Sequence, residues 1–407
     1  MITGVAFCTR PMTASVTIAK RLEGIEPSPT LAIAALAATL QQGGRSILNL
    51  SVGEPDFDTP AFVRKAALDA MDRGLTRYTP SAGTLSLREA IQAKFRADNR
   101  LDYPVTSIVV TPGAKYALYA LAQCLLNPGD RAVILAPYWV SYPDIIRLSG
   151  AGCLVLPTDA QNRYTVDLDA LEASLRPPTR LLILNSPGNP TGIHYPRAQL
   201  EAIGSILRRH PQVLIASDDL YEKILWQGLP FLNLPMVCPD LVGRCVVING
   251  VSKSHAMTGW RIGYAAGPAT LIRSLVDFQS HTVSNPNSIA QAAAEAALRG
   301  SPAEIEHMVE TYHGRHDFLV PQLNQIDGIR VQPADGTFYA FADCRAYLAR
   351  HPEIDGDMGL ARALLEQTGV AVVPGSAFGA PGHLRLSYAT DEKILEAAVT
   401  RLREYFA

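Results

Sequence analysis

The sequence predicts an α/β protein in which a large domain, built on a mostly parallel sheet flanked by helices, carries a smaller α+β domain. Three observations predict it. Seven short apolar, largely β-branched runs recur between residues 105 and 266: VTSIVV, RAVILA, GCLVLP, RLLILN, QVLIAS, RCVVIN and GWRIGYAAG. Runs of that length and composition suit strands buried on both faces. Amphipathic stretches separate them, as helical crossovers between parallel strands must. After residue 300 the rhythm changes to a long helix followed by a mixture of strands and helices.

Taken in order, residues 1–18 form an N-terminal extension. Its opening, MITGVAFCTRPM, lacks the charged start and continuous apolar core of a signal peptide, and Met12 is a second candidate start. Residues 19–60, with the helix LAIAALAATLQ, precede the sheet pattern and are expected to pack with the small domain. The large domain is read as 61–300. Within it KYALYALAQCLL (115–126) is a helix closed by Pro128 and Gly129, and RAQLEAIGSILRRH (197–210) is another. The small domain, 301–407, is expected to hold a helix over 303–326, a strand pair near GIRVQP and GTFYAF, and a helix over 357–368. The strands VAVVPG and HLRLSYA and a last helix complete it. There is no internal repeat or low-complexity tract.

Composition narrows the function classes. A chain of 407 residues that is 48% apolar can fill a sizeable core, which excludes a small stapled scaffold. The 36 Lys and Arg nearly cancel the 38 Asp and Glu, and no basic block is long enough to follow a phosphate backbone, so nucleic acid is not an expected partner. Six scattered cysteines without CxxC spacing read as reduced packing residues, implying neither disulfide nor zinc. The histidines show no metal-ligand spacing. No run reaches about 18 apolar residues, so no membrane association is expected and the cytoplasm is the default location.

The sequence has no GxGxxG after a strand, no GxxxxGK[ST], no HExxH and no GxSxG. What remains are polar and glycine-rich groups just after predicted strands, where open α/β sheets bind ligands. In TPGAKYALY, Gly113 and Ala114 open a helix beside free backbone N–H groups, which makes either a phosphate seat or a tight strand-to-helix turn. Lys115 beside them reads most simply as a solvated charge. In NSPGNPTG (185–192), proline and glycine stiffen a loop so that Asn185 and Asn189 can point into a cleft, although a surface loop fits as well. Asp218, Asp219 and Tyr221 follow VLIAS. A buried carboxylate there needs a positive or protonatable partner, or else caps the next helix.

Lys253 lies between two serines in VSKSHAMTGWRIGYAAG, shortly before a strand carrying Arg261. It is either a surface lysine or a nucleophile of lowered pKa. Arg385, inside the apolar run HLRLSYA, is suited to a bidentate grip on a carboxylate or to a salt bridge.

Together NLSVGEPDFDTP, RYTPSAGTLSLREAI, APYWVSYP, NSPGNPTG, SKSHAMTGWRIGYAAGP and HLRLSYAT resemble, in order and over nearly the whole chain, the class I/II aminotransferases. These are pyridoxal 5′-phosphate enzymes of fold type I with a seven-stranded sheet, and the likeness is greatest to the bacterial aspartate and prephenate aminotransferases. By that resemblance Lys253 would hold the cofactor covalently and shuttle a proton, while Asp218 would pair with the ring nitrogen. Asn189 and Tyr221 would bond the ring 3′-oxygen, and Trp139 would stack on the ring. Gly113, Ala114, Ser252 and Arg261 would hold the phosphate, with Tyr78 supplied by the other subunit of a homodimer. Arg385, Asn189 and Gly53 would grip the substrate α-carboxylate.

The implied activity is transamination between an L-amino acid and a 2-oxo acid. Aspartate with 2-oxoglutarate comes first because Lys115 matches a lysine that approaches a distal carboxylate. Glu26 stands where a lysine is usual and would oppose such a carboxylate, which keeps aromatic, prephenate and other neutral substrates in view. A carbon–sulfur lyase on the same cofactor cradle is the reaction-level alternative.

Overall fold

A computed structural model describes residues 18–25, 29–226 and 228–407. Among the described residues thirteen strands are formed: β1 (Leu48–Asn49), β2 (Ile108–Thr111), β3 (Arg131–Ala136), β4 (Gly152–Pro157), β5 (Thr179–Asn185), β6 (Leu214–Asp218), β7 (Cys245–Gly250), β8 (Gly263–Ala266), β9 (Arg330–Val331), β10 (Tyr339–Asp343), β11 (Val370–Ala371), β12 (Val373–Pro374) and β13 (His383–Ser387). The large domain is organised on a seven-stranded sheet in the order β2-β8-β7-β6-β5-β3-β4. All pairings are parallel except those of β8, which runs against both β2 and β7. The apolar runs became strands because helices cover both faces: β2, β7 and β8 are buried at every residue.

One face packs against Ala114–Leu125, Tyr142–Leu148 and Ala269–Thr282, through residues such as Leu118, Leu121, Ile145, Ile146, Ile272 and Leu275. Arg197–Arg209 packs with Leu171, Leu182 and Ile215 in another cluster. The smaller domain joins the antiparallel sheet β12-β13-β10-β9 to the helices Ala303–Leu323 and Glu392–Phe406. The N-terminal β1 pairs in parallel with β11, and Ala37 of the helix Pro29–Gln42 packs against Leu365 and Ala371.

Some local readings are corrected. VTSIVV begins with a 3-10 turn at Val105–Ser107, started by Pro104, and only its second half pairs. The long helix stops at Leu323 rather than 326. Arg261 precedes β8 instead of lying within it, because the turn Thr258–Trp260 ends with Arg261 at φ 58°, a left-handed conformation that no strand residue adopts. Met12, Cys8 and Glu26 lie outside the described residues, and among those described no helix is long and apolar enough to cross a membrane.

The topology explains where chemistry can occur. β2, β3, β5, β6 and β7 end at one edge of the sheet, and β8, being antiparallel, begins there. Asn185 and Asp218 are the last residues of their strands, and Gly113, Trp139, Lys253 and Arg261 lie just beyond the other strand ends, so these groups converge although they lie up to 148 residues apart.

Candidate active site

At that edge a cavity of about 490 Å³ is lined by Gly53, Ala114, Lys115, Trp139, Asn189, Asp218, Tyr221, Ser252, Lys253, Arg261 and Arg385, with Glu54, Ser141, Asn185, Thr258 and Tyr339. Eleven of the thirteen residues to which the resemblance gives a role in the site therefore line one cavity. Gly113 lies directly behind it. Tyr78 is 90% exposed and faces an outer groove between Asp69, Arg73, Ser288 and Glu295, away from this cavity.

Asp218 ends β6 and is 5% exposed. Its Oδ2 accepts a hydrogen bond from the Tyr142 hydroxyl at 2.6 Å, and its Oδ1 is approached only by the Leu220 N–H at 3.4 Å. Asn185, its register partner on β5, donates to its backbone carbonyl at 2.8 Å. Burial pushes the carboxyl up to about 6, while Tyr142 and the Leu220 N–H pull it down. Asp219 takes no part in the cavity and caps no helix, because residues 220–223 form turns. Its carboxylate instead accepts from Ser217 at 2.7 Å and Asn233 at 2.6 Å, tying down the chain behind Asp218.

Lys253 sits on the loop after β7, and its Nζ donates to the Gly53 carbonyl at 2.5 Å. Burial lowers the amine to about 8; Arg385, Arg261 and Lys115 add to this and Glu54 opposes it. Arg385, 2% exposed, donates to the Ser51 carbonyl at 2.5 Å and to Asn189 Oδ1 at 3.2 Å. Its buried Nε has no partner, and it forms no ion pair among the described residues. The salt-bridge reading of Arg385 is thus replaced by that of a guanidinium held by neutral acceptors and available to an anion.

The anion seat is equally specific. Gly113, at φ 91°, leads into the helix Ala114–Leu125, and a Cβ there would collide with the Arg261 guanidinium. The Gly113 N–H is spent on the Thr111 carbonyl at 2.7 Å and those of Tyr116 and Ala117 on the Gly113 carbonyl, so the N–H groups open to a ligand are those of Ala114 and Lys115. Arg261 is steadied by the Thr258 carbonyl at 2.8 Å, and Ser252 completes the corner. Lys115 is exposed, yet its Nζ lies at the cavity, 5.0 Å from the Trp139 ring centroid, and partial desolvation first, then Arg261, lowers its pKa.

The residues fit pyridoxal phosphate. An N-terminal helical turn with Arg261 and Ser252 suits a phosphate, and a buried carboxylate lacking a cation suits a protonated ring nitrogen. A lysine of depressed pKa suits reaction with a carbonyl. Sequence reasoning missed Tyr142, Glu54, Thr258 and Tyr339. Tyr142 lies three residues after Trp139, with its N–H bonded to the Trp139 carbonyl at 3.0 Å, and that spacing was the available signal. Tyr339, whose hydroxyl is 2.9 Å from that of Tyr221, gave none, since 118 residues separate them.

Comparisons with known proteins agree. Residues 45–402 match the family aminotransferase class I and II. The chain is 44% identical over 390 residues to the aspartate/prephenate aminotransferase of Nitrosomonas europaea, covering 95% of this chain and 98% of that one. It is 43% identical, with the same coverage, to an aspartate aminotransferase of Geobacillus stearothermophilus. The crystal structure of the Rhizobium meliloti aspartate aminotransferase superposes with a TM-score of 0.91 at 39% identity, over 96% of this chain and 98% of that one. The Thermus thermophilus aspartate aminotransferase with maleate gives 0.89 at 38%, over 96% and 99%. The chain belongs to the class I and II aminotransferases and is a pyridoxal-phosphate-dependent aminotransferase of fold type I, related to the bacterial aspartate/prephenate enzymes.

Proposed function

We propose that this aminotransferase acts on dicarboxylates, exchanging the amino group of L-aspartate with 2-oxoglutarate, and that it works as a homodimer. The observation that carries the substrate class is that the cavity holds, besides Lys253 and the phosphate-side Arg261, two further cations that form no ion pair among the described residues: Arg385, and Lys115 beside Trp139. A substrate with two carboxylates meets both.

Ala114, Ser252 and Arg261 would hold the cofactor phosphate, Asp218 the ring nitrogen, Asn189 and Tyr221 the 3′-oxygen, and Trp139 the ring face. Bound there, pyridoxal phosphate supplies a carbonyl that captures the substrate amine and a cationic ring that accepts the electron pair released at Cα. The chain's own residues do the rest. Arg385, seated by Asn189 and the Ser51 carbonyl, binds the α-carboxylate and orients the Cα–H bond. Lys253 takes the Cα proton as a neutral amine, which its lowered pKa makes accessible near neutral pH. Tyr339 fixes the Tyr221 hydroxyl. Tyr78, outside the cavity of its own chain, would complete the phosphate site of a second copy.

Trp139 and Leu118 also give the cavity an apolar side. This favours prephenate, itself a dicarboxylate and part of the name of the Nitrosomonas relative, as a second substrate. The test is a panel of amino donors against 2-oxoglutarate, oxaloacetate, pyruvate and prephenate with ammonia release followed in parallel. Fastest turnover of aspartate with 2-oxoglutarate supports the proposal. Preference for monocarboxylic donors overturns the substrate class, and ammonia release without an acceptor identifies a lyase.

A further inference from the structure

Asp218 is a carboxylate with an unequal pair of oxygens. It lies at the centre of the sheet and takes part in no ion pair among the described residues. Oδ2 receives the Tyr142 hydroxyl at 2.6 Å, whereas Oδ1 has only a weak approach from the Leu220 N–H at 3.4 Å. Tyr142 is itself 2% exposed, and Asp218 is the one acceptor for its hydroxyl among the described residues. Its ring is set edge-on to Trp139, with centroids 5.4 Å apart at 81°, and its N–H is bonded to the Trp139 carbonyl. The phenol cannot swing away without disturbing the cavity wall.

From this asymmetry we infer that Tyr142 is a positioning residue: by donating to Oδ2 it stabilises the ionised form of Asp218 and leaves Oδ1 as the oxygen available to a protonated ring nitrogen. The inference rests on the proposed binding of pyridoxal phosphate in this cavity. The groups around Asp218 bear it out. Tyr142 faces it from the short helix Tyr142–Leu148 and Tyr221 from the turn after β6, with Tyr195 behind Tyr142 and Lys253 across the cavity. Burial drives Tyr142, Tyr221 and Tyr195 upward, so all three remain neutral phenols over the working pH range. Only Tyr142 gives the carboxylate a short side-chain hydrogen bond, and burial otherwise favours the neutral acid.

The experiment compares wild type with Tyr142→Phe in the apo-protein and during cofactor loading. With carboxyl-¹³C aspartate, the titration of Asp218 in apo wild type is expected near 6. Loss of a hydrogen bond to a charged group is expected to raise it by roughly one to two pH units in Tyr142→Phe. An unchanged midpoint overturns the inference, whether or not the wild type binds pyridoxal phosphate; failure of wild type to bind it overturns the functional proposal instead. In loading titrations, wild type should prefer pyridoxal phosphate over its 1-deaza analogue, in which carbon replaces the ring nitrogen. Tyr142→Phe should lose roughly ten-fold of that preference at neutral pH. An equal loss of affinity for both compounds, or the same loss repeated in an Asp218→Asn background, means that Tyr142 acts only through packing and overturns the assignment.

Discussion

Replacing Gly263 by alanine tests how closely the anion-seating helix approaches the sheet. Gly263 opens β8 and is paired with Thr111 on one side and Gly250 on the other, so it cannot slide along the strand. A Cβ added there would lie 2.5 Å from the Gly113 carbonyl carbon, 3.0 Å from the Ala114 Cα and closer still to the Ala114 amide nitrogen. All three are backbone atoms, so no rotamer change relieves the collision. Since carbon–carbon contacts settle at about 3.5–4.0 Å, the first turn of Ala114–Leu125 must retreat by about 1 Å. Overpacking of this kind costs about 1–3 kcal/mol. The same retreat carries the Ala114 N–H beyond hydrogen-bond range of a phosphate oxygen, and losing one such charged bond weakens pyridoxal phosphate binding by roughly ten-fold or more. Calorimetric melting and fluorescence titration of the apo-protein read the two effects, with Gly259→Ala as control, because a Cβ at Gly259 meets nothing within 4 Å. If Gly263→Ala melts and binds like that control, the close approach is not there and the reasoning fails.

Lys115→Ala should lower the aspartate-to-phenylalanine ratio of kcat/KM by roughly ten-fold, since the ammonium is a second cation in the cavity that holds Arg385. An unchanged ratio removes Lys115 from substrate recognition. Mixed dimers of Tyr78→Phe and Lys253→Ala subunits should regain activity through one intact site, because Tyr78 serves the neighbouring chain in the proposed assembly; verified hybrids that stay inactive rule that out.

The α/β fold was legible because its signal is local: each strand is a short run of apolar residues, and burial on both faces demands that composition. The positions of Asp218, Asn189 and Lys253 were legible for a related reason, since ligand groups in such sheets follow strand ends and those ends announce themselves. Pairings across the fold were not. Nothing near Tyr221 foretells the Tyr339 hydroxyl, and nothing near Lys253 foretells the Gly53 carbonyl 200 residues away. Arg261 was misplaced into a strand because the apolar run GWRIGYAAG hides a left-handed residue, whose guanidinium turns to the carbonyls of Thr258 and Pro112. Capping stayed open for Asp219 because its partner Asn233 could not be located from spacing alone.

The charges on the cavity wall make a last prediction. Lys115, Lys253, Arg261 and Arg385 face Glu54 and Asp218, so cations outnumber carboxylates, and burial pushes Lys253 down to about 8 from 10.5. A lysine whose folded value is depressed binds fewer protons in the folded state than in the unfolded one between those two pH values. Stability contributed through that group therefore rises with pH across the window, and below about 8 its full cost is in force. A displacement of this size corresponds to roughly 3 kcal/mol at neutral pH. Asp218 follows the opposite sign: its folded value is raised from 3.8 to about 6, so its contribution falls as pH rises between those values and is level above them. Between 8 and 10.5 only the lysine's contribution changes among these two. Apo Lys253→Met, which keeps the stem and removes the charge, should thus be more stable than apo wild type at pH 7, and the margin should shrink toward zero as pH approaches 10.5. Denaturant midpoints measured at pH 7 and pH 10 decide the matter: a margin that does not depend on pH would show that Lys253 is not held in a cation-rich, desolvated wall, and its reading as a proton-shuttling amine near neutral pH would lose its physical basis.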